Sequence, residues 1–406
     1  MTEDEIPGLP VIRNCPMGVP ALYRRLRATR PVSRARMPYG ELVWLVTSYD
    51  LSRRILADPR VSADRANPGF PSAQSPQARQ VERDAIEAGR RSMLTADAPV
   101  HGAHRRMLAA EFTPQRVSEL RPGIQEIVDQ CVDCLLGAAQ PADLVEHVSL
   151  PVPALVVCQL LGVPSGKRGD FQHWTRKLLA QDTPAAEMSA CWAALSEFLD
   201  QLVRLKEDGD PGKDTLGRLI SGNRRTGAMT HDEVVANAML LLVAGHETTA
   251  QMISLGVAAL LENPGQRERL TADPSLLPAA VEELLRYYSV VDGVTWRVAQ
   301  ADIRLGDVTI QAGDGIVVSP MAADWDDTVF GRPELLDFRR QGRGHIAFGY
   351  GAHQCLGQHL ARVELGIVYA TLFRRVPGLN LAVPLAELPY RTRSSVYGID
   401  RMPVTY

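Results

Sequence analysis

Little in this chain speaks for export, membrane insertion or nucleic acid, and those gaps narrow the reading first. Six cysteines in 406 residues (Cys15, Cys131, Cys134, Cys158, Cys191 and Cys355) are too few and too scattered for a disulfide framework. Cys131 and Cys134 form a C-x-x-C, but it lies inside the helical pattern Ile124-Ile127-Val128-Cys131-Leu135. With no second pair to complete a zinc site, buried core thiols are expected. Neither sign of charge dominates. Forty-four basic against 47 acidic residues leave −3, which offers nothing to a nucleic acid or an anionic membrane. The first five residues, Met1-Thr2-Glu3-Asp4-Glu5, hold neither a basic nor an apolar leader segment. The longest apolar run, Ala238 to Gly245, falls far short of the ~20 residues that span a bilayer. A soluble, cytoplasmic protein is expected. No linker, repeat or low-complexity tract divides the chain, so a single domain over 1–406 is expected.

Helical periodicity dominates what is present. Ala21 to Arg30 reads as a helix, Val43-Trp44-Leu45-Val46 as a strand, and Pro68 to Pro76 as a mobile loop. From Val100 to about Gly222 the helical pattern is interrupted at Pro114, Pro141, Pro164 and Pro184. Thr230-His231-Asp232-Glu233 is a capping box, opening a helix that should end near Asn263-Pro264. About 30 residues at ~1.5 Å each make a rod of ~45 Å, long enough to cross the molecule. Ala279 to Tyr288 is a further helix, followed by short strands at Ile303-Arg304-Leu305 and Gly315-Ile316-Val317-Val318. The expected class is mainly α with small β-sheets, the strands gathered at about 32–65 and 290–320.

The chemistry concentrates in Phe348-Gly349-Tyr350-Gly351-Ala352-His353-Gln354-Cys355-Leu356-Gly357. One cysteine follows a glycine-rich loop where a long amphipathic helix, Cys355 to about Val376, should begin. A helix N-terminus presents unpaired N–H groups and partial positive charge, so a thiol there should have a lowered pKa and sit as thiolate. Gly349 and Gly351 let the backbone fold tightly under the sulfur, and Phe348 can shield it from water. A single shielded thiolate suits an axial haem ligand, since structural zinc wants four protein ligands. These ten residues resemble the haem-binding loop of the cytochrome P450 family, F-G-x-G-x-[HR]-x-C-x-G, with every specified position filled through Gly357.

The resemblance extends over nearly the whole chain, from about Val32 to Pro403-Val404-Thr405. It implies a triangular helical prism with haem b between the long central helix and the helix after Cys355. Midway along that central helix stands Ala244-Gly245-His246-Glu247-Thr248-Thr249. Glycine costs about 1 kcal/mol in a helix interior, so a local bend is expected there. The stretch resembles the family's oxygen-binding groove, A-G-x-[DE]-T. That likeness implies Ala244 and Gly245 leaving room above the iron, Thr248 and Glu247 serving protons for O₂ activation, and Val243 lining the substrate site. The zinc pattern H-E-x-x-H fails at Ala250, and His246 is read as a helix surface residue with no role.

Glu283 and Arg286, three apart on one helical face, resemble the family's structural E-x-x-R pair. Its third partner stays open between Arg339 and Arg340. Buried haem propionates require basic partners. The likeness of Asp97-Ala98-Pro99-Val100-His101 to D-P-P-x-H-x-x-x-R implies His101 and Arg105 for that task, although Gly102-Ala103 replace the usual Thr-Arg. Arg297 and His353 join them by position, with His345 a fifth candidate. Val291, Asp292, Val294 and Thr295, with Val396 and Tyr397 of the C-terminal turn, should line the substrate pocket. Asp292 is either a contact for a polar substrate group or a satisfied turn aspartate. Asp324-Trp325-Asp326-Asp327 departs from the family's N-R-D-P, as expected of a surface loop or substrate contact. Arg106, Arg339, Arg340, Arg343 and Arg362 should cluster nearest the sulfur and steer an acidic ferredoxin.

The implied activity is that of a bacterial-type haem-thiolate monooxygenase of actinobacterial secondary metabolism. Electrons would come from a ferredoxin and ferredoxin reductase, and the outcome would be hydroxylation of a lipophilic small molecule by O₂. Two other readings stand beside it: oxidative coupling of aromatic metabolites, and a haem-binding protein without turnover.

Overall fold

The computed structural model describes residues 6–13, 16–179, 183–292, 295–340, 344–392, 394 and 396–406. Cys15, Val294 and Arg343, which carried expectations, lie outside the described residues. Helices α1 (Ala21–Thr29), α2 (Tyr49–Ala57), α3 (Pro76–Glu87), α4 (Val100–Ala109) and α5 (Pro114–Leu136) precede α6 (Pro151–Leu161), α7 (Arg168–Leu179), α8 (Ala185–Asp208) and α9 (Thr215–Thr226). The long α10 (His231–Glu262) leads through α11 (Pro264–Ala272) to α12 (Leu277–Tyr288), α13 (Pro320–Asp324), α14 (Asp327–Phe330) and α15 (Gln358–Arg375).

The strands are β1 (Val32–Arg36), β2 (Leu42–Val46), β3 (Val61–Ser62), β4 (Ala142–Asp143), β5 (Thr295–Ala299), β6 (Ile303–Leu305), β7 (Val308–Ile310), β8 (Gly315–Val318), β9 (Asn380–Leu381) and β10 (Pro403–Thr405). They form a five-stranded sheet in the order β1-β2-β8-β5-β3, a three-stranded sheet β4-β10-β9, and the hairpin β6-β7. Among the described strand ladders only β2–β8 is parallel. The mainly helical architecture with small sheets follows the sequence pattern.

Helix α10 is the axis. Its start is set by the capping box: the Glu233 amide donates to Thr230 Oγ1 at 3.2 Å, and the Thr230 amide donates to Glu233 Oε2 at 2.8 Å. Every residue from Thr249 to Leu260 is buried, because α12 and α15 pack on that half. Its first half packs against α6 and α8 on one side only, and Val243 there is 42% exposed. The helix runs through Gly245 without a break. There the Thr248 hydroxyl donates to the Ala244 carbonyl at 2.7 Å, one turn back.

Some expectations are corrected by burial. Cys134 is exposed while Cys131 is buried, with its thiol pushed up to about 12, so only one of that pair is a core thiol. The Pro68–Pro76 loop is pinned: Phe70 to Ser72 are buried, and Arg79 donates to the carbonyls of Pro68 at 2.6 Å and Phe70 at 2.5 Å. His246 is buried and hydrogen-bonded to the Leu150 carbonyl at 3.0 Å. Burial holds it down to about 4, so it is a neutral core histidine rather than a surface one.

Candidate functional site

The cysteine loop is built by two left-handed glycines. Gly349 (φ 70°) and Gly351 (φ 76°) reverse the chain twice, and a Cβ on Gly351 would stand 2.3 Å from the Leu56 carbonyl oxygen of α2. The Cys355 amide then closes on the Phe348 carbonyl at 2.8 Å. Helix α15 starts later than the sequence pattern suggests: Gly357 is its N-cap and Gln358 its first residue. Cys355 therefore stands ahead of the helix. The Gly357 amide and the guanidiniums of Arg105 and Arg362 all act to lower the thiol pKa. Burial outweighs them and raises it, which corrects the expectation of a free thiolate. Metal coordination is the ordinary way to ionise such a thiol.

Beside the sulfur the chain gathers four basic side chains from three distant segments. His101 and Arg105 come from α4, Arg297 from β5 and His353 from the loop. The two imidazoles stack with centroids 4.0 Å apart, and Arg105 Nη2 donates to the Gln354 carbonyl at 2.7 Å. Among the described residues no acid belongs to the set. Asp97, the nearby carboxylate acting on His101 and Arg297, is engaged by Ser62, the Ala63 amide and Gln300. Burial lowers Arg297 to about 10; burial with the neighbouring cations takes His353 to about 3. His101 Nε2 and Arg105 Nη1 are buried and without hydrogen-bond partners. Concentrated positive potential and orphaned donors fit a group carrying carboxylates, as a haem does. His345 is elsewhere: it pairs with Glu282 at 3.2 Å, so it does not join this set.

On α10, Ala244 is exposed and Gly245 and Thr248 are half-buried, beside the exposed Val243. Glu247 faces another way. Its carboxylate is bound by the buried Arg391 of the C-terminal turn, a partner that the sequence motifs did not identify. Burial raises the Glu247 pKa, and Arg391 opposes that shift.

A model of the cytochrome P450 family matches residues 66–376, most of the chain, a range that holds His101, Arg105, Glu247, Arg297 and Cys355 but not Arg391. The chain belongs to the cytochrome P450 family. It is 42% identical over 410 residues to cytochrome P450 105A3 of Streptomyces carbophilus, covering 100% of this chain and 97% of the relative. It is 41% identical over 403 residues to a vitamin D3 dihydroxylase of Streptomyces griseolus, covering 99% and 97%. The crystal structure of cytochrome P450 MoxA from Nonomuraea recticatena superposes with a TM-score of 0.93 at 44% identity, covering 98% of each chain. The protein is thus a P450 monooxygenase, a class whose cofactor is haem.

The P450 carries its E-x-x-R pair, itself wholly buried, at the centre of a network that reaches towards the surface at Arg340. Arg286 grips both oxygens of Glu283, Nε to Oε2 at 2.8 Å and Nη2 to Oε1 at 2.9 Å. The open third partner is Arg340, whose Nε reaches Glu283 Oε1 at 3.1 Å, while Arg339 is exposed and pairs with Asp337. Arg286 also donates to the Asp324 carbonyl at 2.9 Å. The Asp324-Trp325-Asp326-Asp327 stretch is therefore no surface loop: its first three residues are buried. Asp324 accepts from the Ile346 amide and from Ser289 Oγ, both at 2.7 Å.

The substrate-lining candidates divide. Val291 and Val396 pair across an isolated bridge, and Thr295 begins β5. Asp292 is consumed internally, accepting from Tyr23 Oη at 2.8 Å and Ser319 Oγ at 2.6 Å. Tyr397 is buried under the N-terminal segment, donating to the Pro16 carbonyl at 3.0 Å with the Arg13 guanidinium 3.8 Å over its ring. Both are structural here. The basic face is likewise thinned. Arg340 is engaged internally and Arg362 binds Glu282 while lying 4.6 Å over Phe348, whereas Arg106 is exposed.

Proposed function

We propose that this P450 binds haem b through Cys355 and hydroxylates a lipophilic small-molecule metabolite of secondary metabolism. The reading has the propionates received by His101, Arg105, Arg297 and His353, with Phe348, Gly349, His353 and Gly357 forming the loop around the sulfur. The observation that carries it is the cluster of four basic side chains, His101 and Arg297 buried and Arg105 and His353 half-buried, with no acid among them in the described residues, beside the one cysteine of the loop. When bound, the haem supplies O₂ activation at a thiolate-ligated iron. The chain's own part is to seat that group, exclude water and move protons. Ala244 and Gly245 leave space over the haem face, Val243, Val291, Thr295 and Val396 offer apolar contacts to the substrate, and Thr248 and Glu247 handle protons.

A lipophilic substrate is supported by those exposed or half-buried apolar positions and by relatives such as the vitamin D3 dihydroxylase. Electrons would come from a ferredoxin with its reductase, docking where Arg106, Arg339 and Arg362 meet solvent. Two measurements test this. Reduced wild-type holoprotein under carbon monoxide should show the absorption of sulfur-ligated haem, and Cys355→Ser should abolish it; retention would overturn the ligand assignment. With a metabolite that shifts the haem spectrum, ferredoxin, reductase and ¹⁸O₂ should give a labelled product. Product without label would overturn hydroxylation.

A further inference from the structure

We propose that Arg391 is a positioning residue for the proton chemistry of α10, holding the Glu247 carboxylate against the C-terminal turn that carries Val396. This rests on the reading of Glu247 as a proton carrier.

Glu247 does not stand free on the helix. Arg391 Nη1 donates to Glu247 Oε1, and Arg391 Nε lies 3.2 Å from Asp400 Oδ1, so the guanidinium bridges two acids. Arg391 is 5% exposed, so this is not a solvated surface pair that water would screen. The turn itself is seated on the same helix. The Ile399 amide donates at 2.8 Å to Gln251 Oε1, four residues beyond Glu247 and on the same face of α10. A Cβ on Gly398 would stand only 1.8 Å from that oxygen. The Arg391 amide donates to the Gly398 carbonyl at 3.0 Å, and Tyr390 and Ile399 bridge, which closes the turn on itself. Two contacts, Glu247–Arg391 and Gln251–Ile399, thus tie the acid's face of α10 to the segment containing Val396. Val396 in turn bridges Val291, and the Tyr397 amide donates to the Val290 carbonyl at 2.9 Å.

Charge follows from this placement. Besides burial, the groups acting on Glu247 are Arg391, which lowers its pKa, and Asp400, which raises it. His246, its neighbour in sequence, turns to the Leu150 carbonyl instead. Among the described residues Arg391 is therefore the group that counters burial. Without it the acid holds its proton to higher pH.

The test uses haem-loaded full-length wild type, Arg391→Gln, Arg391→Lys, Glu247→Gln and the double variant Arg391→Gln/Glu247→Gln. Unchanged carbon monoxide spectra would establish intact folding. Infrared titration would follow the protonated-carboxyl stretch removed by Glu247→Gln. In Arg391→Gln the midpoint of that band should rise by about 1–3 pH units, the range for loss of an adjacent opposite charge. Arg391→Lys should return the midpoint most of the way to the wild-type value. Reduced holoprotein mixed with O₂ and excess ferredoxin and reductase gives a second readout, the hydrogen peroxide released per NADPH. Arg391→Gln should move its pH profile in the same direction, and adding it to Glu247→Gln should change nothing further. An unmoved infrared midpoint, or additive effects in the double variant, would overturn the role of Arg391. An unchanged peroxide yield in Glu247→Gln would instead overturn the proton-carrier reading, leaving the infrared result to judge Arg391 separately.

Discussion

Asp324 offers a stability prediction with a worked sign. Its carboxylate is fully buried, and burial pushes it up to about 6 from an ordinary 3.8, against the pull of His345, the Ile346 amide, Ser289 and Arg286. A folded-state pKa above the unfolded one means that the native protein binds this proton more tightly. The group therefore costs nothing below the unfolded pKa, and its cost grows as pH rises until both states are ionised above about 6. A difference of roughly two pKa units is worth about 3 kcal/mol on the acid's alkaline side, with about half of that already present near pH 5. Asp324→Asn removes the charge and can keep both bonds. Its oxygen accepts from the Ile346 amide, and its NH₂ donates to Ser289 Oγ, whose proton turns to the Leu285 or Arg286 carbonyl at 3.5 or 3.3 Å. Urea unfolding of the holoprotein should therefore find Asp324→Asn more stable by up to about 3 kcal/mol near pH 7.5, with roughly half that gain near pH 5. A pH-independent difference between the two proteins would refute the argument, as would a loss of stability at neutral pH.

Other perturbations separate the networks. Glu283→Gln leaves Arg286 and Arg340 facing a neutral amide in a site without solvent, and urea unfolding should show a loss of about 3–5 kcal/mol. Arg297→Met removes a buried donor from the proposed propionate cluster; haem transfer to apomyoglobin should speed up by about ten- to a hundredfold, the equivalent of one charge-assisted bond. Gly256→Ala would set a methyl 2.0 Å from Tyr369 Oη, which is buried and bonded to the Met252 carbonyl at 2.6 Å. Thermal unfolding should report about 1–3 kcal/mol of overpacking between α10 and α15. Thr248→Ala should raise hydrogen peroxide released per NADPH several-fold, and an unchanged yield would remove its hydroxyl from proton handling.

Much of the architecture was legible because its signals are local. The Thr230/Glu233 box marks the start of α10 within one turn, and the glycines of the cysteine loop announce the tight reversal they make. The start of α15 was misplaced by three residues because a 3₁₀ turn at Gly351–His353 and the cap at Gly357 come first. What stayed hidden depends on long-range pairing. Arg391 lies 144 residues from Glu247, and nothing beside it in the sequence marks it as turning inward. Asp292 and Tyr397 looked like pocket residues because the partners that engage them, Tyr23 and Arg13, come from the far N-terminus. Neighbouring Arg339 and Arg340 are equal in sequence, and only the fold points one at Glu283 and the other at solvent.

The buried charges near α12 make better sense as a device for placement than for stability. A desolvated ion pair seldom repays its own burial, and apolar replacements of equal volume are often as stable. Here, however, the outer bonds of the network end on backbone groups of two other segments, at Asp324 and over 332–337. Arg286 takes the carbonyls of Asp324 and Pro333, Glu283 takes the Asp337 amide, and Arg340 takes the carbonyls of Arg332 and Leu335. Asp324 then passes the constraint on through the Ile346 amide, two residues before Phe348, whose carbonyl receives the Cys355 amide. The chain of contacts therefore runs from α12 to the sulfur without crossing solvent. Hydrophobic side chains could fill the same volume, but they have no directional bonds with which to fix the height and angle of that loop.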